Sequence, residues 1–104
     1  MEITITKDNF DDEVRNFRGE PIVLDFWAGW CGPCSLLSPV LEEIAEEFDG
    51  EIRVGKVNVD EEPELAEAFD VQSIPLLVLV KDGAIHKKSV GFMPKDDLID
   101  WLGL

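Results

Sequence analysis

Ile3-Thr4-Ile5-Thr6 alternates apolar with polar residues, the period of a half-buried strand. Phe10, Val14 and Phe17 follow at helical spacing, which predicts a helix over 8–18 that ends at Gly19. Ile22 to Ala28 is nearly continuous apolar sequence after Pro21 and suits a central strand covered on both faces. Over 33–48, Leu37, Val40, Leu41, Ile44 and Phe48 share one side of a second helix, with Pro39 inside it as a kink. Ile52, Val54, Val57 and Val59 mark a strand over 51–59. Their parity changes across Gly55, which predicts either a bulge or burial on both faces. Pro63 suits the first turn of a short helix holding Leu65, Ala66 and Phe69. Leu76 to Val80 is an apolar strand, Asp82-Gly83 a hairpin turn, and Ala84 to Val90 the returning antiparallel strand. Pro94 opens a last helix with Leu98, Ile99, Trp101 and Leu102.

The order is β-α-β-α-β-α-β-β-α, an α/β class with a central mixed β-sheet flanked by helices. No repeat or linker interrupts it, so residues 1–104 are expected to form one domain. A chain of this length buries roughly 60–70% of its unfolded surface and needs no metal or disulfide staple to stand. Charge narrows the partners. With 23 Asp and Glu against 9 Lys and Arg, the formal charge is −14, a surface that repels phosphate backbones and anionic lipids. Nucleic acid and membrane surfaces are therefore not expected as partners. No apolar run reaches the ~20 residues of a membrane span. The start, Met1-Glu2-Ile3, lacks a basic-then-apolar export signal, so a cytoplasmic location is expected. Asp60-Glu61-Glu62 runs into Pro63 without the turn glycine of a calcium loop.

The only cysteines are Cys31 and Cys34. The loop they would close is too short to constrain an unfolded chain, so they serve chemistry or metal. Zinc needs about four ligands, and the one histidine, His86, lies far along the sequence in a hairpin strand, so no metal site is expected. Cys31-Gly32-Pro33-Cys34 falls between a buried strand and a helix. Unpaired N–H groups and the macrodipole at that helix end stabilise a thiolate. Cys31 would sit there facing solvent, with Cys34 one turn in, more buried and harder to ionise. Pro33 pre-sets the first turn, and Gly32 leaves the approach to Cys31 open. Dithiol–disulfide exchange requires two such unequal thiols. Asp25 stands inside Ile22-Val23-Leu24-Asp25-Phe26-Trp27. It is either a buried acid whose raised pKa lets it exchange protons, or one that merely satisfies a backbone donor. Lys56 by itself reads as an ordinary solvated lysine. Pro75 cannot donate to a sheet ladder and marks a strand start or turn. Trp30 reads as surface, Trp27 as packing beneath the motif, and Phe92 as surface or core.

Trp27-Ala28-Gly29-Trp30-Cys31-Gly32-Pro33-Cys34 resembles the active-site motif of the thioredoxin family. Asp25-Phe26, Pro39, Lys56, Ile74-Pro75, Gly83 and Gly91 follow in family order and spacing, so the resemblance covers essentially the whole chain. It implies a thioredoxin-like fold and a general protein disulfide reductase with no cofactor beyond a redox-active Cys31–Cys34 disulfide. By resemblance, Cys31 is the nucleophile, Cys34 the resolving thiol, Asp25 the proton acceptor for Cys34 and Lys56 the residue that tunes it. Pro75 would be cis and packed on the dithiol. The Ile74 backbone would pair with an extended substrate segment, and Trp30, Gly32, Pro33, Gly91 and Phe92 would complete an uncharged docking surface. The implied partners are disulfide-containing target proteins and a thioredoxin reductase as electron donor. The chain itself is expected to be a monomer.

Three residues depart from the family pattern. Ser35 stands where a basic residue is frequent, Leu76 where threonine is common, and Phe92 where a small residue is usual. They bear on partner choice and redox poise. Two other readings stay open: an oxidase or isomerase of the same fold, and a binding module whose thiols are dispensable. The Gly32-Pro33 dipeptide resembles the reducing members, which favours the reductase.

Overall fold

A computed structural model describes residues Met1 to Leu104. Its strands are β1 (Glu2–Thr4), β2 (Ile22–Trp27), β3 (Arg53–Asn58), β4 (Leu76–Lys81) and β5 (Ala84–Val90). Its helices are α1 (Gly32–Glu47), α2 (Pro63–Ala68) and α3 (Lys95–Leu102). The strands form one sheet in the order β1-β3-β2-β4-β5, the mixed, helix-flanked sheet that the sequence predicts, with a strand order that only the structure gives.

β2 is central because its sequence tolerates no open face. Ile22, Leu24 and Phe26 pack on one side with Val14, Val57 and Leu65. Val23 packs on the other with Leu37, Leu41 and Ile44 of α1 and Leu98 and Leu102 of α3. β3 lies parallel to β2 in unbroken register from Ile22–Arg53 to Trp27–Asn58, so the parity change across Gly55 is not a bulge. Val54 joins the α1 side and Val57 the opposite side, which is burial on both faces. Gly55 is required there. A Cβ at this position would lie 2.8 Å from Ile5 Cγ1 and 2.9 Å from Leu24 Cδ2.

Three expected elements come out shorter, β3 among them, which spans Arg53–Asn58 rather than 51–59. β1 pairs only over Glu2–Thr4, although Ile5 beyond it is fully buried and its N–H still bonds the Lys56 carbonyl at 2.8 Å. The helix expected over 8–18 is reduced to one π-helical turn, Asp11–Arg15. The helical spacing of Phe10, Val14 and Phe17 is divided among different partners. Phe10 meets Phe69 edge-on at 5.8 Å, and the Arg53 guanidinium lies 3.8 Å over the Phe17 ring. Arg53 is itself buried and is held by Glu13 at 2.5 Å. These tertiary contacts override the local pattern.

The last hairpin supplies the antiparallel member of the sheet, and that member is β4, which runs against both β2 and β5. The turn residues Asp82 and Gly83 both have positive φ, 51° and 78°, as a tight two-residue hairpin requires. β4 is reversed because the β3–β4 connection stays at one end of the sheet. The ends of β2 and β3 and the start of β4, where Leu76 faces Phe26, therefore meet along one edge.

Gly55→Ala is expected to lower stability by about 1–3 kcal/mol, because fully buried side chains must move aside. Gly29→Ala, where no atom lies within 4 Å of the added Cβ, should change it by less than about 0.5 kcal/mol. Urea unfolding of both variants checks the pair.

Candidate active site

Cys31 and Cys34 form a disulfide at the edge where the strand ends meet, with Cα atoms 5.3 Å apart. Cys31 is the N-cap of α1, in an extended conformation (φ −94°, ψ 111°), and its Sγ accepts the Cys34 N–H at 3.2 Å. Pro33 occupies the first turn, and that turn contains no acidic residue in a chain otherwise rich in them. A thiolate on Cys31 would thus face the positive end of a sixteen-residue helix with no carboxylate in the turn beside it. One expectation is corrected. Cys31 does not face solvent: it is 7% exposed, close to the 4% of Cys34. Its sulfur folds back over the first turn onto Cys34 and Ala28, and the exposed residues are Gly32 and Pro33. The inequality of the two sulfurs therefore lies in position, one at the helix cap and one inside the first turn. No group of three or more His, Cys, Asp or Glu side chains is arranged to hold a metal ion.

Asp25 is 1% exposed, on the α1 side of β2. It bonds no backbone donor. Its Oδ2 accepts Lys56 Nζ at 2.7 Å, and its Oδ1 has no partner. Burial pushes this carboxyl above its ordinary pKa, and the Lys56 charge and hydrogen bond offset only part of that rise. Lys56 departs from the solvated lysine that its sequence context suggests. It is 16% exposed and faces Asp25 directly across the β2–β3 ladder. Trp27, next on the same face of β2, packs against Ala28, Cys31 and Cys34, as expected. Its Nε1 is buried without a partner. A solvent-open cavity of about 370 Å³ lies beside the Asp25–Lys56 pair, lined by Trp27, Cys34, Ser38, Glu42 and Lys56 among others.

The outer rim comes from three loops. Ile74–Pro75 is cis, and Ile74 packs against the Ala28–Cys31–Cys34 cluster. Ile74 makes no backbone hydrogen bond, so both its N–H and its C=O are free. The Gly91 N–H donates to the Pro75 carbonyl at 2.8 Å, and Gly91 holds φ +98°. Trp30 is 72% exposed, and its Nε1 donates to Asp60 Oδ2 at 2.9 Å. A shallow hollow of about 440 Å³ runs between Trp30, Val59, Val71 and Ile74. Phe92 is 44% exposed and lies outside the cluster around the dithiol. Sequence reasoning missed Asp60, Ser38 and Glu42. Asp60 had a signal: β2 and β3 are parallel, so the residues just past Trp27 and just past Asn58 must lie side by side.

Residues 1–103 match the family model described as Thioredoxin. A curated protein of Staphylococcus saprophyticus named Thioredoxin is 47% identical over 98 residues, 94% of this chain and 91% of that protein. One of Staphylococcus haemolyticus with the same name is 46% identical over 100 residues, covering 96% and 93%. One of Alicyclobacillus acidocaldarius, also named Thioredoxin, is 44% identical over 96 residues, covering 92% and 90%.

The raised pKa of Asp25 fixes a pH dependence of stability. The folded state binds this proton more tightly than the unfolded state does. Stability therefore falls as pH rises from the unfolded value, near 3.8, through the folded one, and the loss persists above it. Asp25→Asn removes the charge that burial penalises. The variant should unfold at higher urea than the native chain at pH 7, with the gap closing by pH 3.5. Equal midpoints at pH 7 would contradict the burial argument.

Proposed function

This chain belongs to the thioredoxin family and is a protein disulfide reductase, and we propose that Cys31 and Cys34 carry its exchange in fixed order. In the reduced protein, Cys31 is the thiolate that attacks a sulfur of the target disulfide. A Cys31–target disulfide forms and the first target sulfur leaves as a thiolate. Asp25 takes the proton of Cys34. The Cys34 thiolate then attacks Cys31 Sγ, the Cys31–target bond breaks, and the second target thiolate departs and is protonated. Two electrons have passed to the target, and the Cys31–Cys34 disulfide remains. The observation that carries this reading is a dithiol pair capping a helix N-terminus, with a buried acid and its lysine on the adjoining strands. Lys56 restrains the acid: its charge favours ionised Asp25 and keeps the carboxyl from staying protonated throughout the cycle.

The target docks as an extended segment against the free N–H and C=O of Ile74, with Pro75 and Gly91 shaping the groove. Trp30, Gly32 and Pro33 supply the apolar rim, and Phe92 extends it. Thioredoxins act on disulfide targets and are recharged by a reductase. We assign the electron supply here to a thioredoxin reductase. The chain holds no cofactor other than its disulfide and works as a single-domain monomer in the cytoplasm, with protein partners and neither nucleic acid nor membrane. The charge of −14 supports that choice of partners, and no helix is long and apolar enough to cross a membrane.

Cys31→Ser should reduce turnover of a protein disulfide to the uncatalysed level. Cys34→Ser should instead accumulate a covalent Cys31–target adduct, seen by non-reducing electrophoresis and mass spectrometry. Titration of the native pair against dithiothreitol is expected to give a potential near the about −270 mV typical of thioredoxins. A value near the about −120 mV of a strong oxidant would move the chain to the oxidase or isomerase reading. Full activity without either cysteine would make it a binding module.

A further inference from the structure

Cys34, Ser38 and Glu42 stand four residues apart on α1, so they form one column along a single side of the helix. All three line the cavity that also reaches Lys56 and Trp27. The column runs from a buried sulfur, through a half-buried hydroxyl, to an exposed carboxylate. The Ser38 hydroxyl has no hydrogen-bond partner within the protein, whereas the neighbouring Ser35 hydroxyl already donates to the Gly32 carbonyl at 2.6 Å. Two buried polar atoms near this cavity are also unpaired, Asp25 Oδ1 and Trp27 Nε1. Unpaired buried acceptors and donors beside a polar, solvent-open cavity are the usual setting of ordered water.

We propose that Ser38 is a positioning residue for the proton that leaves Cys34, its hydroxyl holding the water that links the thiol to the Asp25–Lys56 pair and, past Glu42, to solvent. Asp25 is too deeply buried to exchange its proton directly with bulk water, and the cavity is the hydrated route beside it. When Cys34 loses its proton, the Ser38 hydroxyl and its water stabilise the thiolate sulfur from the helix side. The thiolate attacks Cys31, and the proton held by Asp25 then leaves along the same water to the mouth at Glu42. No oxidant is needed beyond the target disulfide. The titratable groups around Cys34 are Asp25 on β2, Lys56 on β3, Glu42 on α1 itself and Cys31. The Ile74–Pro75 loop, which also packs against it, adds none.

The inference rests on Cys34 being the resolving thiol, so the experiment separates the two. Cys34→Ser must first trap the Cys31–peptide mixed disulfide from a target peptide activated with thionitrobenzoate, which leaves as the coloured thiolate. If it does not, the assignment of Cys34 fails and Ser38 with it. If it does, single-turnover resolution of that mixed disulfide is followed against pH for the native chain, Ser38→Ala and Ser38→Thr. Ser38→Ala should fold, because alanine favours a helix interior. It should resolve about three- to tenfold more slowly at pH 7, the worth of one neutral hydrogen bond, with its rate rising only at higher pH. Ser38→Thr keeps the hydroxyl and should restore both the rate and the pH profile. A Ser38→Ala profile that superimposes on the native one, or a Ser38→Thr profile that matches Ser38→Ala, would overturn the proposal.

Discussion

β2 carries five consecutive side chains that are essentially inaccessible to water, and one of them is a carboxylic acid. Four apolar side chains pointing alternately up and down can be hidden only if both faces of the sheet are covered. That requirement sets α1 and α3 on one side, and α2 with the π-helical turn on the other. It also places β3 and β4 on the two flanks of β2. Asp25 is then held in a position where its charge is costly, and the only compensation is the Lys56 ammonium across the ladder. One free carboxylate oxygen and one free indole N–H remain beside a cavity. The strain of burying that acid and the placement of the dithiol above it follow from the same strand.

The site uses opposite environments a few residues apart. The helix N-terminus and the absence of acids in its first turn favour negative charge on Cys31. Burial in β2 disfavours negative charge on Asp25. An acidic protein thus presents a spot where a thiolate is favoured, next to a carboxyl group that holds its proton more tightly than usual. In the proposed cycle this contrast moves a proton from Cys34 to Asp25 while the sulfur bonds are exchanged. The path of the β3–β4 connection matters as much as the charges. Because α2 does not carry the chain to the far end of the sheet, Ile74–Pro75 arrives beside Cys31 rather than opposite it.

Much of this was legible beforehand. The continuous apolar run of β2, the amphipathic pattern of α1 and the Asp82-Gly83 turn are strong local signals, and each element formed within a residue or two of its expected bounds. The Cys-Gly-Pro-Cys spacing at a strand-to-helix junction is enough to point to the reactive pair. Local pattern failed where partners distant in sequence compete. Phe10 and Phe17 read as one helical face, but Phe69 and Arg53 claim them separately. Lys56 read as an ordinary surface lysine because nothing nearby in the chain reveals the acid opposite it.

The sequence by itself determined the class of fold, the identity of the redox pair and the presence of an acid in a strand too apolar to be exposed. These depend on periodicity and composition within short windows, where steric and hydrophobic preferences act directly. Only the tertiary structure decided that Cys31 is nearly as buried as Cys34, that Lys56 is the sole partner of Asp25, and that Asp60 takes the Trp30 indole. It alone also decided that Ser38 and Glu42 share a cavity with Cys34. Burial, pairing and cavities are properties of surfaces brought together by distant segments. No spacing along the chain specifies them until the strands are in register.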